Sequence, residues 1–253
     1  MATREQEVLL VIADISGYTR FVATNRESLA HCQLVITELM RTVLKELKLP
    51  IRVAKLEGDA VFFYLRKDGN EREISRLAGS IRVRIDRMFA AFNRRIVELV
   101  ESNICPCAGC QSITMLRLKM VVHSGRALFF RLDRFQELSG MDVILVHRLL
   151  KNSVSGHEYV LLTEAARRDL FEPDVTALEQ AEERYEDVGA VRTYIYRPVV
   201  SAESHAGNPV TPFIRWKMHQ LKEWTTRLME WGLVRMPTFH NLPSAVETAA
   251  YPT

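Results

Sequence analysis

The feature that most constrains the fold is an uninterrupted apolar run near the start of the chain that ends in an acidic, glycine-containing turn. Residues 8–13 are Val-Leu-Leu-Val-Ile-Ala, and Asp14-Ile15-Ser16-Gly17 follows directly. A short apolar run that is rich in β-branched residues and bounded by turn residues is typical of a buried strand. Residues 7–15 are therefore expected to form a central strand that closes in a polar turn.

The rest of the first 200 residues alternates between helical and strand patterns. Apolar residues recur at three- and four-residue steps over 26–47 and 72–100, which predicts two amphipathic helices, and a third helix is expected at 140–150. Strands are expected at 51–56, 60–65, 115–123, 126–130, 159–163, 184–188 and 191–197. This order predicts an α+β fold of ferredoxin-like or palm type, in which a mostly antiparallel sheet carries helices packed on one face.

Composition excludes several classes of protein. The chain has 34 basic and 31 acidic residues, so its net charge of +3 is too small to indicate a nucleic-acid partner. A hydrophobic content of 47% with 26% charged residues is typical of a globular protein. No apolar run approaches the roughly 18–20 residues of a membrane span, and no signal-peptide pattern is present. We therefore expect a cytoplasmic protein.

The composition changes after Pro198, which predicts a domain over residues 1–200 and an appendage over 201–253 made of a linker, an amphipathic helix and a flexible tail. Residues 212–236 contain all three tryptophans, and the spacing predicts a basic amphipathic helix with an apolar stripe at Leu221, Trp224, Leu228 and Trp231. Such a helix packs on its own domain or on a dimer partner, or it lies on an anionic membrane surface. The sequence favours packing and leaves membrane contact open.

Two aspartates follow predicted strands at positions suited to cation binding. Asp14 lies at the exit of the first strand and Asp59 in the predicted hairpin turn, so neighbouring strands would bring both carboxylates to one end of the sheet. Mg²⁺ prefers one or two carboxylates together with substrate phosphates. The alternative is that Asp14 caps a helix and Asp59 is an ordinary turn residue.

Five segments, in order, resemble the signatures of class III nucleotide cyclases, the adenylate and guanylate cyclases. They are IADISGYT at 12–19, KLEGD at 55–59, LKMVVHSG at 118–125, GMDVILVHRL at 140–149 and VRTY at 191–194. The resemblance covers about residues 7–197 and implies the cyclase fold. It also implies that two Mg²⁺ or Mn²⁺ ions are held by Asp14 and Asp59, and that a triphosphate is bound by Lys119 and by the turn that contains Ile15 and Gly17.

The resemblance further implies a head-to-tail homodimer with the site between its subunits. Lys55 and Glu137 occupy the positions that recognise the base, and because a carboxylate accepts from the exocyclic amine of adenine while lysine donates to a ring nitrogen, ATP is favoured over GTP. Arg148 matches the arginine that neutralises charge at the reacting phosphate, although an ordinary solvated helix arginine is the alternative.

The chain also departs from the cyclase pattern. Ile144 stands where the family has an asparagine that orients the ribose, residues 188–190 lack the usual lysine, and Val121 replaces a glycine. Two hypotheses therefore stand side by side, an enzyme that converts ATP to cyclic AMP and pyrophosphate, and a catalytically weak or inactive nucleotide-binding dimer in signalling. A diguanylate cyclase or polymerase is disfavoured because its Gly-Gly-Asp-Glu-Phe type of signature is missing.

A cysteine-rich loop lies between the second helix and the next strand. Cys105, Cys107 and Cys110 offer thiolates at a spacing suited to Zn²⁺, but structural zinc requires a fourth ligand. The alternative is a compact loop of partly buried or redox-active thiols.

Overall fold

A computed structural model describes residues 4–25, 29–68, 71–102, 108–171 and 178–198. The strands in these ranges are β1 (Arg4–Ser16), β2 (Arg52–Glu57), β3 (Ala60–Arg66), β4 (Arg117–Leu132), β5 (Phe135–Ser139), β6 (Tyr159–Thr163), β7 (Leu178–Tyr185) and β8 (Gly189–Tyr196). The helices are α1 (Tyr18–Thr24), α2 (Leu29–Glu46), α3 (Glu71–Glu101), α4 (Ala108–Gln111), α5 (Met141–Arg148) and α6 (Glu164–Phe171).

The strands form one mixed sheet in the order β2-β3-β1-β4-β6-β8-β7, and β5 pairs with the C-terminal part of β4. Strands β4 and β6 run parallel, and the other pairs in this sheet are antiparallel. The predicted α+β class with a mostly antiparallel sheet is therefore confirmed.

Alternate residues of a strand point to opposite sides of the sheet, and in β1 both sets are buried. Leu9 and Val11 belong to the core that lies under α2, α3 and α6. Leu10 and Ile12 belong to a smaller core on the other face, where α5 packs. The main helical layer thus covers one face of the sheet, as the sequence predicts, and α5 rests on the opposite face.

Helices α2 and α3 form because their apolar residues fall on one helical stripe. The buried residues of α2 include Val35, Leu39 and Val43, and those of α3 include Phe89 and Phe92. Each fully buried aromatic or branched side chain contributes on the order of 1.5–3 kcal/mol relative to an exposed one. Both helices predicted by periodicity are therefore confirmed, within a few residues at their ends.

The prediction of two strands separated at Ser124-Gly125 was wrong. Strand β4 continues through both residues, because Ser124 pairs with Leu9 and Gly125 with Val8 of the long strand β1. Helices α1, α4 and α6 and strand β5 were not predicted from the sequence, and β7 starts at Leu178 rather than at the predicted residue 184.

No helix in the described part of the chain combines the length and apolar character that a membrane span requires. The predicted linker, amphipathic helix and tail of residues 201–253 lie outside the described residues.

Candidate functional site

The fold brings Asp14 and Asp59 together at one end of the sheet. Asp14 pairs with Ala60 in the register of β1 and β3, and Asp59 directly precedes Ala60. Gly58 has a φ of 64°, which permits the tight turn between β2 and β3. The two carboxyl groups are close enough for a side-chain hydrogen bond. The convergence expected from the sequence is therefore present.

The pair carries more negative charge than its surroundings neutralise. Burial and the neighbouring Asp14 carboxylate raise the pKa of Asp59 from 3.8 to about 7, and Lys119 offsets only part of this effect. Burial and a like charge both disfavour an ionised carboxyl group. A divalent cation would relieve both costs, so this donor set fits Mg²⁺ or Mn²⁺, which bind through one or two carboxylates and phosphate oxygens.

Lys119 lies beside the first of these aspartates. It pairs with Asp14 in the register of β1 and β4. Its Nζ atom is 3.1 Å from Asp14 Oδ2 and also donates a hydrogen bond of 3.4 Å to the backbone carbonyl of Leu150. The resemblance to class III cyclases implies that Lys119 binds a triphosphate, and in this structure its ammonium group contacts Asp14.

The turn after β1 presents polar backbone next to the aspartates. Gly17 has a φ of 88°, and a Cβ atom there would come within 3.1 Å of the Met115 carbonyl oxygen, so glycine suits this position. Ser16 Oγ lies 3.3 Å from His157 Nδ1. Ile15 has a buried side chain, and its N–H donates to the Asp59 carbonyl at 3.3 Å, which joins the two acidic turns.

Lys55 and Glu137 form a second group. They lie on β2 and β5, and Lys55 Nζ is 2.6 Å from Glu137 Oε2. Both side chains remain partly exposed. The two residues that the resemblance places at the base therefore meet in space, although they are far apart in the chain.

Arg148 forms a third group at the end of α5. Its Nη2 atom donates to Asp187 Oδ2 at 2.7 Å, and both side chains are largely exposed. Ile144, one turn earlier on α5, is 47% exposed. The helix therefore presents an apolar side chain to solvent at the position where the cyclase pattern has an asparagine.

Sequence reasoning missed polar residues that flank these groups. Tyr159 pairs with Lys119 in the parallel register of β4 and β6, and its hydroxyl donates to Asn152 Oδ1 at 2.9 Å. Burial raises the pKa of Tyr159. His147 Nε2 lies 3.3 Å from Glu57 Oε2. No pattern in the sequence indicates the parallel pairing that brings Tyr159 to this site.

His123 was not assigned a catalytic role from the sequence. Its Nδ1 atom lies 2.9 Å from Thr163 Oγ1 and its Nε2 atom 2.8 Å from Asp142 Oδ1. The imidazole is buried and links β4, α5 and the end of β6. These contacts account for His123 as a structural residue.

The zinc prediction falls partly outside the described residues, because Cys105 and Cys107 are not described. Cys110 is buried on α4, and Cys32 is buried on α2. Within the described ranges no three His, Cys, Asp or Glu side chains are grouped to hold a metal ion. The zinc site therefore remains a prediction.

A relative found by sequence comparison defines the family of this chain, and a family model matches its middle part. A model described as "Protein of unknown function (DUF2652)" matches residues 36–159. "Uncharacterized protein Rv2561/Rv2562" of Mycobacterium tuberculosis is 31% identical over 159 residues, which are 63% of this chain and 71% of the relative. The chain belongs to the family of this mycobacterial protein.

Solved structures similar to this family member are nucleotide cyclases and cyclase-like proteins. The adenylyl cyclase CyaB from P. aeruginosa aligns with 77% of this chain and 95% of its own, at a TM-score of 0.55 and 16% identity. A class III adenylyl cyclase-like ATP-binding protein from Pseudomonas aeruginosa aligns with 66% of this chain and 35% of its own, at a TM-score of 0.51 and 19% identity. The chain therefore has a cyclase-like fold.

Proposed function

We propose that this chain binds a nucleoside triphosphate, with ATP preferred, together with Mg²⁺ or Mn²⁺ at the Asp14–Asp59 pair. The observation that carries the proposal is the convergence of these two carboxylates, with the pKa of Asp59 raised to about 7. A partly buried acidic pair of this kind favours an added cation, and polyphosphate oxygens complete the coordination of such an ion. The cyclase-like fold and the similarity to an ATP-binding protein support the same function.

In this proposal each group of the site has one task. Asp14 and Asp59 hold the cation, which when bound neutralises phosphate charge and lowers the pKa of a coordinated hydroxyl group. Lys119 donates to phosphate oxygens, and the N–H groups around Gly17 bind the polyphosphate.

Lys55 and Glu137 would recognise the base from the partner subunit of a head-to-tail homodimer. Glu137 accepts from the exocyclic amine of adenine, and Lys55 donates to a ring nitrogen. Their contact of 2.6 Å within one chain supports a joint role. A cytoplasmic location, where ATP and Mg²⁺ are available, is part of this proposal.

A second candidate function is cyclisation of the bound ATP. The ribose 3′-hydroxyl would lose its proton, attack the α-phosphate and expel pyrophosphate, which leaves cyclic AMP. The intact aspartate pair favours this candidate, and Arg148 would neutralise charge at the reacting phosphate. Two features would slow this turnover, because the apolar Ile144 side chain cannot hydrogen-bond to a ribose and Arg148 is paired with Asp187.

The opposite candidate is a nucleotide-binding signalling or scaffold dimer without significant turnover. Binding energy that is equal in the ground state and in the transition state does not accelerate a reaction. The same departures that slow cyclisation would therefore leave ATP binding intact. Product formation separates the two candidates.

The deciding experiment is calorimetric titration of ATP and GTP with Mn²⁺, accompanied by a chromatographic assay for cyclic nucleotide. We expect wild-type protein to bind ATP more tightly than GTP, and Asp59→Ala to lose most of the metal-dependent binding. Asp68→Ala is the matched control, because it removes an exposed carboxylate at the opposite end of β3. Equal nucleotide binding by wild type and Asp59→Ala would refute the proposal.

The segment 212–236 also has a proposed role, which is packing on the domain or on a dimer partner. Co-sedimentation with anionic vesicles tests the alternative of membrane contact. Vesicle binding that disappears in a chain ending at residue 200 would favour the membrane.

A further inference from the structure

Asp14 already forms an ion pair with a lysine of the neighbouring strand. Lys119 faces Asp14 as its cross-strand partner, and their charged atoms are 3.1 Å apart. Only 19% of the Lys119 side chain and 17% of the Asp14 side chain are exposed. Because paired positions on neighbouring strands hold their side chains close together, the contact follows from the register of the two strands.

This ion pair competes directly with a metal ion. A cation that binds Asp14 must displace the ammonium group of Lys119 or lie beside it, and two like charges a few Å apart repel each other strongly where water is partly excluded. The displaced ammonium group would lose this ion pair and retain its hydrogen bond to the Leu150 carbonyl. Metal alone should therefore bind more weakly than two neighbouring carboxylates would otherwise allow.

We propose that Lys119 is an internal counter-cation of Asp14 that moves to the polyphosphate when nucleotide binds, so that metal and nucleotide bind cooperatively. The long, flexible lysine stem allows the ammonium group to exchange one anion for another. Nucleotide thereby frees Asp14 for the metal, and the metal in turn frees Lys119 for the phosphates. By linkage, each ligand must strengthen the binding of the other by the same factor.

The inference rests on the proposed function, because it assigns a regulatory role to Lys119 within the same site. It predicts that removal of the lysine charge improves metal binding, whereas a lysine that only bound phosphate would leave the affinity for metal alone unchanged. This difference can be measured without any turnover.

The first test measures Mn²⁺ binding without nucleotide, from the electron paramagnetic resonance signal of free Mn²⁺. We expect Lys119→Met to tighten Mn²⁺ binding by about tenfold through the loss of a nearby positive charge, and Lys119→Arg to stay close to wild type. Lys48→Met is the matched control, because it removes the same charge from an exposed lysine. Lys48 precedes β2, whereas Asp59 follows β2, so the two residues lie at opposite ends of this strand. Circular dichroism establishes that each variant is folded.

The second test measures the affinity for a fluorescent ATP analogue in EDTA and in Mn²⁺. The ratio of the two dissociation constants should be large for wild type and for Lys119→Arg, and about tenfold smaller for Lys119→Met, as reciprocity requires. Chelation of Mn²⁺ by the analogue is the same for every protein and therefore cancels in this comparison.

The outcomes separate this inference from the proposed function. If Asp59→Asn weakens Mn²⁺ binding while Lys119→Met equals wild type, the metal site stands and the counter-cation role is overturned. If neither wild type nor Lys119→Met binds Mn²⁺ without nucleotide, the counter-cation role is overturned, and the titration of ATP with Mn²⁺ against wild type and Asp59→Ala decides the proposed function separately. Binding by Lys119→Met that wild type lacks supports the inference directly.

Discussion

The carboxyl group of Asp59 ionises at a different pH in the folded and unfolded chain. Its pKa is about 7 in the folded protein, against an ordinary value of 3.8, because of burial and the neighbouring Asp14 charge. The folded chain therefore holds this proton more tightly than the unfolded chain. The stability that the proton contributes is fully present below pH 3.8 and is lost as the pH rises to about 7. In EDTA we expect Asp59→Asn to raise the Tm, by more at about pH 8 than at about pH 5.

Differential scanning calorimetry across this pH range measures the effect. Asp68→Asn serves as the control, since it removes an exposed carboxylate and should leave the pH dependence of the Tm unchanged. A difference between wild type and Asp59→Asn that is the same at both pH values would contradict the raised pKa.

The position of Ile144 determines how well a bound ribose can be oriented. Cyclisation predicts that Ile144→Asn raises the turnover number for cyclic AMP, by up to about 10²-fold, because a hydrogen bond to the ribose restores alignment of the reacting groups. Val83→Asn also replaces an exposed β-branched apolar residue by asparagine, but on α3, and should leave the turnover number unchanged. Rates measured at saturating ATP with Mn²⁺ decide the point. Equal turnover by both proteins would show that residue 144 does not limit orientation of the ribose, and absence of cyclic AMP from both would leave only the binding function.

Single residues of the site were largely predictable from the sequence, whereas their partners were not. Asp14 stands out because it directly follows an apolar run, and Asp59 because it lies in the Glu-Gly-Asp hairpin turn. The contact between Asp14 and Lys119 depends on the register of β1 and β4, which lie more than 100 residues apart. Sequence patterns indicate which residues of a strand face the core, but they do not indicate its register against a strand that is distant in the chain.

Strand β4 and helix α5 are joined through Asp142. This carboxylate accepts from the Arg126 N–H at 2.6 Å and contacts His123 Nε2 at 2.8 Å. A Cβ atom on Gly125 would come within 2.3 Å of the Asp142 carboxyl group. Close approach of the helix to the strand therefore requires glycine at this position.

We expect Gly125→Ala to lower the free energy of unfolding by about 1–3 kcal/mol, as overpacking typically does. Gly79→Ala is the matched control, because a Cβ atom there meets nothing within 4 Å, and alanine in a helix should stabilise by about 0.5–1 kcal/mol. Urea denaturation measures both variants. A Gly125→Ala protein as stable as wild type would show that α5 can move away without cost.

Gly125 also explains why the sequence analysis divided β4 in two. Ser-Gly between apolar runs usually indicates a turn, but here glycine is needed because a helix passes close above the strand. Helix α6 was missed because it is short and half of its eight residues are charged, and only a narrow stripe at Ala166, Leu170 and Phe171 is buried. Long-range packing, which the local sequence does not report, determined both elements.

Several large apolar side chains on the elements that carry the candidate site are exposed to solvent. Leu56 is 61% exposed on β2, Met141 is 61% exposed at the start of α5, and Ile144 is 47% exposed. Single exposed apolar residues are common on protein surfaces, whereas a contiguous apolar patch marks a protein–protein interface. Together with the fold, these exposed side chains support the proposed homodimer, in which each site takes residues from two chains.

The dimer proposal predicts that a charge at one of these positions lowers self-association and nucleotide affinity together. We expect Leu56→Glu to shift the protein from dimer to monomer in sedimentation velocity and to weaken ATP binding at least tenfold, since a charge buried in an interface without a partner is costly. Val97→Glu introduces the same charge at a residue of α3 that is 53% exposed, and should change neither property. Mn²⁺ binding by monomeric Leu56→Glu should persist, because Asp14 and Asp59 come from one chain. Tight ATP binding by a monomer would place the whole site within a single subunit and end the composite-site proposal.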